Sequence, residues 1–536
     1  MEADCIDYKQ TGFFSQTVID YLEDNPVLKP FYGYRPDING FTELLKQKKV
    51  IADRDVLTTV LTKQYACIAN FQPPLTGLDL VWQNIQLLNE AETYTVTTGH
   101  QLNIFAGPLY FIYKIVTAIK LAQQLREAFP EKNFVPVYWM ASEDHDFAEI
   151  SYTNIGGKKV HWWYEASGAT GRINPETMRQ AINQYKGALG IEKHALELGQ
   201  IIETAYTRFE KLADATRYLV NALFGRHGLV IIDADDRQFK QQFAPIIERD
   251  IIEQNSFRNI SATNTALAAT GVNIQVNPRE INFFYLTDGL RERIVFENGT
   301  YKVLNSEISF TEQELKQEIA GFPERFSPNV VMRPLYQECI LPNIAYVGGG
   351  AEVVYWLELK ANFDFYGVDF PVLILRNSGL IIKKATTAKI AKMELQAADL
   401  FSEVHLLKNN WIKKHSSHNL TLTGEWEALS AVFEEIKLRA VKIDSTLGAS
   451  AEAVQARLKH AIDHLEKKLV KAERRNYETS LVQVENIKNE LFPKGSLQER
   501  TENFGLFYVN WGQSFIDELL KNFVPLDFKF TVLKEV

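Results

Sequence analysis

The stretch TVTTGHQLNIFAGPLYFIYK, Thr95 to Lys114, carries the reading of the fold. A strand-like run from Tyr94 to Thr98 breaks at Gly99, His100 and Gln101. A Gly-Pro pair, Gly107 and Pro108, then leads into a helical pattern bearing lysines. A strand meeting a helix through glycine is a common way to make an anion site. Backbone N–H groups point outward there, and the helix dipole favours negative charge. The unit resembles the opening of a Rossmann-like domain.

Working outward, four more short apolar runs read as buried parallel strands: FVPVYWMAS, LVIIDAD, IAYVGG and PVLILRN. Near-continuous apolar strands separated by helical segments predict an α/β layer covered on both faces. Roughly ninety residues lie between the second and third runs and over a hundred between the third and fourth, far more than a simple crossover needs. Two insertions are expected, at about 151–228 and 250–335, within a core spanning 1–380. Past Ser378 the chain becomes rich in Ala, Leu, Lys and Glu, with no proline from Ile381 to about Lys488. Leu458, Ile462, Leu465, Leu469 and Ala472 alternate spacings of four and three, the seam of a coiled coil. A helix from Lys389 to Val404 or beyond is the expected partner in a long hairpin, with WIKKHSSHNLTLTGEWEAL irregular between. The alternative is an ordinary bundle packed on the core. Residues 381–488 form this helical domain, and 489–536 are expected to pack back on the core.

The chain has 536 residues, 46% hydrophobic and 23% charged, which suits a globular protein of two or three domains. A net charge of −9 argues against a general nucleic-acid binder. No apolar run reaches membrane-spanning length and no secretory signal is recognised, so a cytoplasmic protein is expected. Cys5, Cys67 and Cys339 are scattered, without a CxxC pair, which excludes a structural zinc site and a disulfide framework from the expectation. Cys339 reads as a buried free thiol.

Three junctions carry residues fit for chemistry. At Gly99 the backbone can approach a phosphate, and the His100 imidazole can donate to its oxygen. The alternative for His100 is a cap or a packed side chain. Lys114 lies in the following helix and need not face the turn; Lys120 reads as solvated. In SEDHDFAEI, Glu143, Asp144, His145, Asp146 and Glu149 follow a buried strand directly. Crowded carboxylates suit a substrate ammonium, or Mg²⁺ beside nucleotide phosphates, or a His145 base oriented by Asp144 or Asp146. The alternative is an acid cluster satisfying a helix dipole. The third block holds Arg333, Gln337, Tyr346, Gly348, Gly349, Gly350, Glu352, Tyr355 and Trp356. GGGAE looks like a junction where backbone meets ligand, with Glu352 able to fix a ribose or an amine; a plain tight turn explains it nearly as well. Arg376 and Asn377 follow the last strand, where an arginine can clamp phosphate or carboxylate or form a structural ion pair.

Taken together, TTGHQLNIFAGPLYFIYK, VPVYWMASEDHDFAEI, MRPLYQECILPNIAYVGGGAEVVYWLELK, PVLILRNS and LFPKGSLQER resemble the BshC family, the cysteine ligase family of bacillithiol biosynthesis. The blocks run in the family's order from about residue 94 to 505. The resemblance implies a Rossmann-like core similar to class I aminoacyl-tRNA synthetases, with two insertions and a coiled-coil domain used in homodimerisation. It implies joining cysteine to the amine of glucosaminyl-malate, with ATP, and Mg²⁺ accompanying the nucleotide, as the activating agent; an acyl-adenylate and an acyl-phosphate both stay open. On this reading Gly99, His100, Gln101, Gly107 and Lys114 cradle the nucleotide, and Asp144, His145 and Asp146 are catalytic. Glu143, Arg333, Gln337, Tyr346, Gly348, Gly349, Glu352, Arg376 and Asn377 hold substrate. Many members read TGQQPGLFGGP where this chain reads TGHQLNIFAGP, departing at His100, Leu102 and Asn103. No KMSKS-like loop follows Leu375; the lysines of IIKKATTAKIAK look like the start of a helix. Rival readings are a non-catalytic nucleotide-binding partner acting through its coiled coil, and a nucleotidyltransferase on another acid.

Overall fold

The computed structural model describes residues 1–71 and 75–535. The five apolar runs are strands of one sheet: β1 (Thr93–His100), β2 (Asn133–Met140), β3 (Val230–Asp233), β4 (Asn343–Gly348) and β5 (Val372–Leu375). Their order is β5-β4-β1-β2-β3, with every neighbouring pair parallel. Helices cover both faces, which is why the strands read as unbroken apolar runs rather than alternating ones. The chain winds outward from β1 to β3, then crosses back to β4 on the other side of β1. That reversal opens a crevice at the carboxyl ends of β1 and β4, where doubly wound sheets take ligands.

β1 departs from the apolar rule, because it buries Thr93, Thr95, Thr97 and Thr98. Buried hydroxyls need partners. Thr95 and Thr97 donate to Asn343 Oδ1 at 3.1 and 2.8 Å, and Thr98 donates to the Val347 carbonyl at 2.8 Å. The hydroxyls thus fasten β1 to β4 across the reversal. Helix α1 (Leu109–Ala128) follows β1 and is buried on most sides, and α2 (Gly350–Leu357) follows β4.

Between β2 and β3 lie a hairpin, Tyr152–Ile155 with Lys158–His161, and the helices Arg179–Leu189, Lys193–Arg208 and Leu212–Phe224. Between β3 and β4, two helices lead into a five-stranded antiparallel sheet. NFFYLTD and RERIVFE supply its strands Phe283–Thr287 and Leu290–Glu297. They are joined by Asp288-Gly289, with Gly289 at φ +74°, a conformation glycine adopts without strain.

The helical region corrects the partner expected from spacing. Lys389–Val404 is divided among a helix (Lys384–Lys392), a 3-10 turn (Ala398–Phe401) and the start of a third piece (Val404–His415), with Glu394 at φ +50° after the first. WIKKH belongs to the third piece. GEWEAL opens α3 (Thr423–Ile443), which pairs in an antiparallel hairpin with α4 (Leu447–Glu473). Trp426, Phe433 and Ala440, a heptad apart, are the half-buried stripe of α3. Lys459 sits over the Trp426 ring, and Lys437 pairs with Glu452. Of the expected seam, Leu458, Ile462 and Leu469 are half-buried, whereas Leu465 and Ala472 are exposed.

A third sheet has no counterpart in the sequence reading. Glu2–Asp7 pairs antiparallel with Lys529–Lys534, which runs parallel to Gly379–Ile382. EADCID is polar and mostly exposed. It becomes a strand because its partner offers an edge, not because of its own pattern.

Candidate active site

The carboxyl ends of β1, β2 and β4 open into a cleft of about 890 Å³. Gly99 and His100 border it from β1, Gly349 and Gly350 from the start of α2, and Ser142, Glu143 and Asp144 from the turn after β2. The antiparallel sheet of the second insertion closes over it and contributes Arg291 and Arg293. Seven cationic side chains (Lys114, Arg279, Arg291, Arg293, Arg333, Arg376, Arg500) face three carboxylates (Glu143, Asp144, Glu352), so the cleft favours an anionic ligand although the whole chain is acidic.

Lys114 faces the turn after all. It is buried, donates to the Gly99 carbonyl at 2.8 Å and pairs with Glu352. Glu352 also accepts from the Tyr346 hydroxyl at 2.7 Å and the Gly349 N–H at 2.8 Å. One lysine and one carboxylate therefore tie the turn after β1 to the turn after β4. Burial pushes the Lys114 ammonium down while Glu352 pulls it up. Burial also opposes the charge on Glu352, but Lys114 and the Gly349 N–H outweigh it and hold the carboxyl below its usual range. Gly348 makes room for this fold-back, since a Cβ there lies 2.9 Å from Glu352 Cβ.

His100 stacks on Phe111, ring centroids 5.2 Å apart, with Tyr110 edge-on at 5.4 Å. Burial, reinforced by the nearby Lys114 and Arg376 charges, pushes its pKa down to about 3. The imidazole is neutral at physiological pH, and its Nε2 has no protein partner. It can exchange a hydrogen bond with a ligand but brings no charge.

At the acid junction, Glu143 pairs with the buried Lys240, which also donates to the Phe326 carbonyl at 2.8 Å. Burial pushes the Glu143 carboxyl up against the pull of Lys240. Gln101 donates to Asp144 at 2.7 Å and to Glu149 at 2.8 Å. Asp144 stays on the cleft wall. Asp146 does not: its carboxylate accepts from the Glu149 N–H and caps the short helix Phe147–Ile150. His145 also stands off the wall. Arg291 Nη1 donates to its Nδ1 at 2.6 Å, while Asp144 Oδ1 is 3.8 Å away. The acid-oriented imidazole expected of His145 is corrected, because the nitrogen that a carboxylate should hold faces a guanidinium.

Four more expected site residues serve the scaffold. Gly107 lies off the cleft at φ +57°, ψ −150°, and its carbonyl accepts from Asn503 at 2.7 Å. Gly348 provides the space just described. Gln337 is buried and accepts from Arg333 at 3.0 Å. Asn377 is held by Thr117, whose hydroxyl accepts from its N–H at 3.0 Å. Arg333 and Arg376 do border the cleft, and each keeps a buried N–H without a protein partner, Nη2 in Arg333 and Nε in Arg376. Sequence reasoning missed Arg279, Arg291, Arg293, Arg500 and Tyr110. Arg291 and Arg293 carried a usable signal, since residues two apart on a strand share a face.

A doubly wound Rossmann-like domain with a cation-rich cleft at its strand reversal, joined to a helical hairpin, is the class these features define. "Bacillithiol biosynthesis BshC, N-terminal Rossmann-like domain" matches residues 1–377, and "Bacillithiol biosynthesis BshC, C-terminal coiled-coil domain" matches 379–535. The chain belongs to the BshC family. A relative from Flavobacterium psychrophilum, described as "Putative cysteine ligase BshC", is 41% identical over 100% of both chains. One of the same description from Flavobacterium johnsoniae is 41% identical over 99% of this chain and 100% of its own. Another, from Bacillus cereus, is 25% identical over 96% and 97%. Among solved structures, Mycobacterium tuberculosis methionyl-tRNA synthetase bound by methionyl-adenylate aligns over 80% of this chain and 92% of its own at 10% identity. The TM-score is 0.19.

Proposed function

We propose that this chain is an ATP-dependent ligase joining the carboxyl of cysteine to the amine of glucosaminyl-malate in bacillithiol biosynthesis. The observation that carries it is the convergence of two glycine turns, a cationic wall and the Asp144 carboxylate on one cleft. Family membership supplies the reaction class.

The residues present suit a nucleotide's phosphates. The unpartnered N–H groups of Arg333 and Arg376 are charged donors, and the start of α2 adds a favourable dipole. When bound, ATP supplies the leaving group that lets an amine displace a carboxylate oxygen. Mg²⁺ is read as arriving with the phosphates, since no group of three or more His, Cys, Asp or Glu fit to hold a metal occurs among the described residues. Lys114 and Glu352 set the distance between the two turns. Asp144, fixed by Gln101, takes the proton that the attacking amine releases. His145 steadies Arg291. Leu429, Val432, Ile436 and Ile443 form an exposed apolar stripe on α3, which supports a homodimer through the hairpin.

The test is purified protein with cysteine, glucosaminyl-malate and ATP, followed by mass spectrometry of the thiol product. Stoichiometric amide and phosphate release support the reading. Nucleotide binding without amide would leave a non-catalytic nucleotide-binding protein instead. Light scattering on an Ile436→Glu variant tests the dimer: a shift to monomer is expected.

A further inference from the structure

We infer that the strap Gln498–Asn503, which follows the helical domain, completes the cleft, with Arg500 as a contact for the ligand's phosphates and Glu499 as a positioning residue acting through Arg376. The inference rests on the nucleotide reading above and names residues beyond it.

The strap is fixed at every residue around Arg500 that matters. The Gln498 amide exchanges two hydrogen bonds with the Ile381 backbone, at 3.0 and 3.1 Å. Glu499 is wholly buried; one oxygen accepts from Arg376 Nη2 at 2.7 Å and the other from the Gly379 N–H at 3.0 Å. The Glu502 carbonyl accepts from the Leu109 N–H at 2.8 Å, at the first turn of α1. Asn503 donates to the carbonyls of Phe105 and Gly107 at 2.9 and 2.7 Å. Between these anchors Arg500 is exposed and borders the cleft with Arg376 and Tyr110. No carboxylate pairs with Arg500 among the described residues.

Arg376 shows what Glu499 does. Its guanidinium spends Nη1 on the Asn377 carbonyl and Ser378 hydroxyl, and Nη2 on Glu499. Nε is the one guanidinium nitrogen with no partner at all, in a side chain that is 5% exposed, and it lies beside Gly349, 3.8 Å from where a Cβ there would stand. An unsatisfied buried charged donor at the cleft edge and an unpaired arginine beside it suit a polyphosphate, which accepts from several guanidinium N–H groups at once.

The experiment is isothermal titration of the full chain with ATP and with inorganic tripolyphosphate, for wild type, Arg500→Gln and Arg500→Lys. Arg500→Gln is expected to weaken both ligands tenfold or more with an unchanged melting temperature, and Arg500→Lys to recover most of the loss. Wild-type affinity in Arg500→Gln overturns the assignment, as does a wild type that binds neither ligand. Glu499→Gln keeps the shape and removes the charge. It is expected to raise KM for ATP several-fold while KM for the amine substrate stays put. A lowered melting temperature with both KM values unmoved assigns Glu499 to the scaffold alone and overturns its positioning role. Arg500-dependent ATP binding in a protein that forms no amide supports the phosphate contact and overturns only the ligase reading.

Discussion

Two turns meet at the crevice, and their glycines differ in purpose. The turn after β1 runs through residues 101–108 before α1 begins, and the turn after β4 through Gly349 alone. In the first, Phe105, Ala106 and Gly107 stand in succession at φ +55°, +62° and +57°, held from behind by Asn503. In the second, Gly349 has an ordinary extended backbone, φ −73° and ψ 171°. The first glycine answers to its own dihedrals; at the second a Cβ would only touch the Glu352 and Arg376 side chains, 3.4 and 3.8 Å away, so what it leaves open is the approach to their polar atoms. Glycine at a strand–helix junction is therefore two signals with one letter.

The Lys114–Glu352 tie is where that comparison is most easily broken. Lys114→Met leaves a largely buried carboxylate unpaired and is expected to cost about 4 kcal/mol. Adding Glu352→Gln to it should return much of that loss in chemical denaturation. A double variant no better than the single shows that the turns are not coupled through this pair. Next in size is Gly107→Ala, which forces a side chain into a backbone region nearly reserved for glycine and sets its Cβ 2.7 Å from Asn103 Cβ. A loss of about 3 kcal/mol is expected. Gly349→Ala should leave stability almost intact and weaken ATP binding. Equal stability losses for the two would erase the distinction between the turns.

His100 sharpens the comparison through pH. Its folded-state pKa of about 3 lies below the unfolded value, so below pH 6.5 the unfolded chain takes up a proton that the folded chain refuses. Stability present above the unfolded pKa is lost as pH falls toward 3. Between pH 7 and 5 wild type should lose about 2 kcal/mol more than His100→Gln. Parallel curves for the two proteins place the imidazole in water rather than under the turn. The smallest effect is Ala106→Gly. Relief of positive φ, offset by the freedom of glycine in the unfolded chain, should stabilise by under about 1 kcal/mol.

The five core strands were legible because burial on both faces removes alternation, and each run was bounded by Gly, Pro or Asp. Their order was not, since a parallel strand carries no mark of its neighbour. The β1 threonines show why: their hydroxyls make sense only beside Asn343 and Val347. At the cleft, Gly99, Asp144, Glu352 and Arg376 could be read from strand ends. Lys114 could not be aimed, because its direction depends on the eight-residue detour before α1. Arg291 and Arg293 sat in a segment read only as a strand, and charge on one face of a strand usually means water. Arg500 ends the block LFPKGSLQER, which offers no periodicity. In the hairpin, Thr423–Ile443, with its half-buried Trp426, Phe433 and Ala440, takes the place expected of Lys389–Val404. Asp146 obeyed the plainest rule in the acid junction, an aspartate capping a helix.

The strand Glu2–Asp7 finds its partner only at Lys529–Lys534, and that partner's other neighbour is Gly379–Ile382. The boundary near residue 378, where one family domain ends and the next begins, is therefore not a place to cut. A polypeptide stopped there keeps Gly107 and Gly349, yet Asn503 no longer braces the first turn, its opening strand has nothing to zip against and Arg376 loses its counter-ion. During synthesis the earliest residues must wait for nearly the latest before the protein can close.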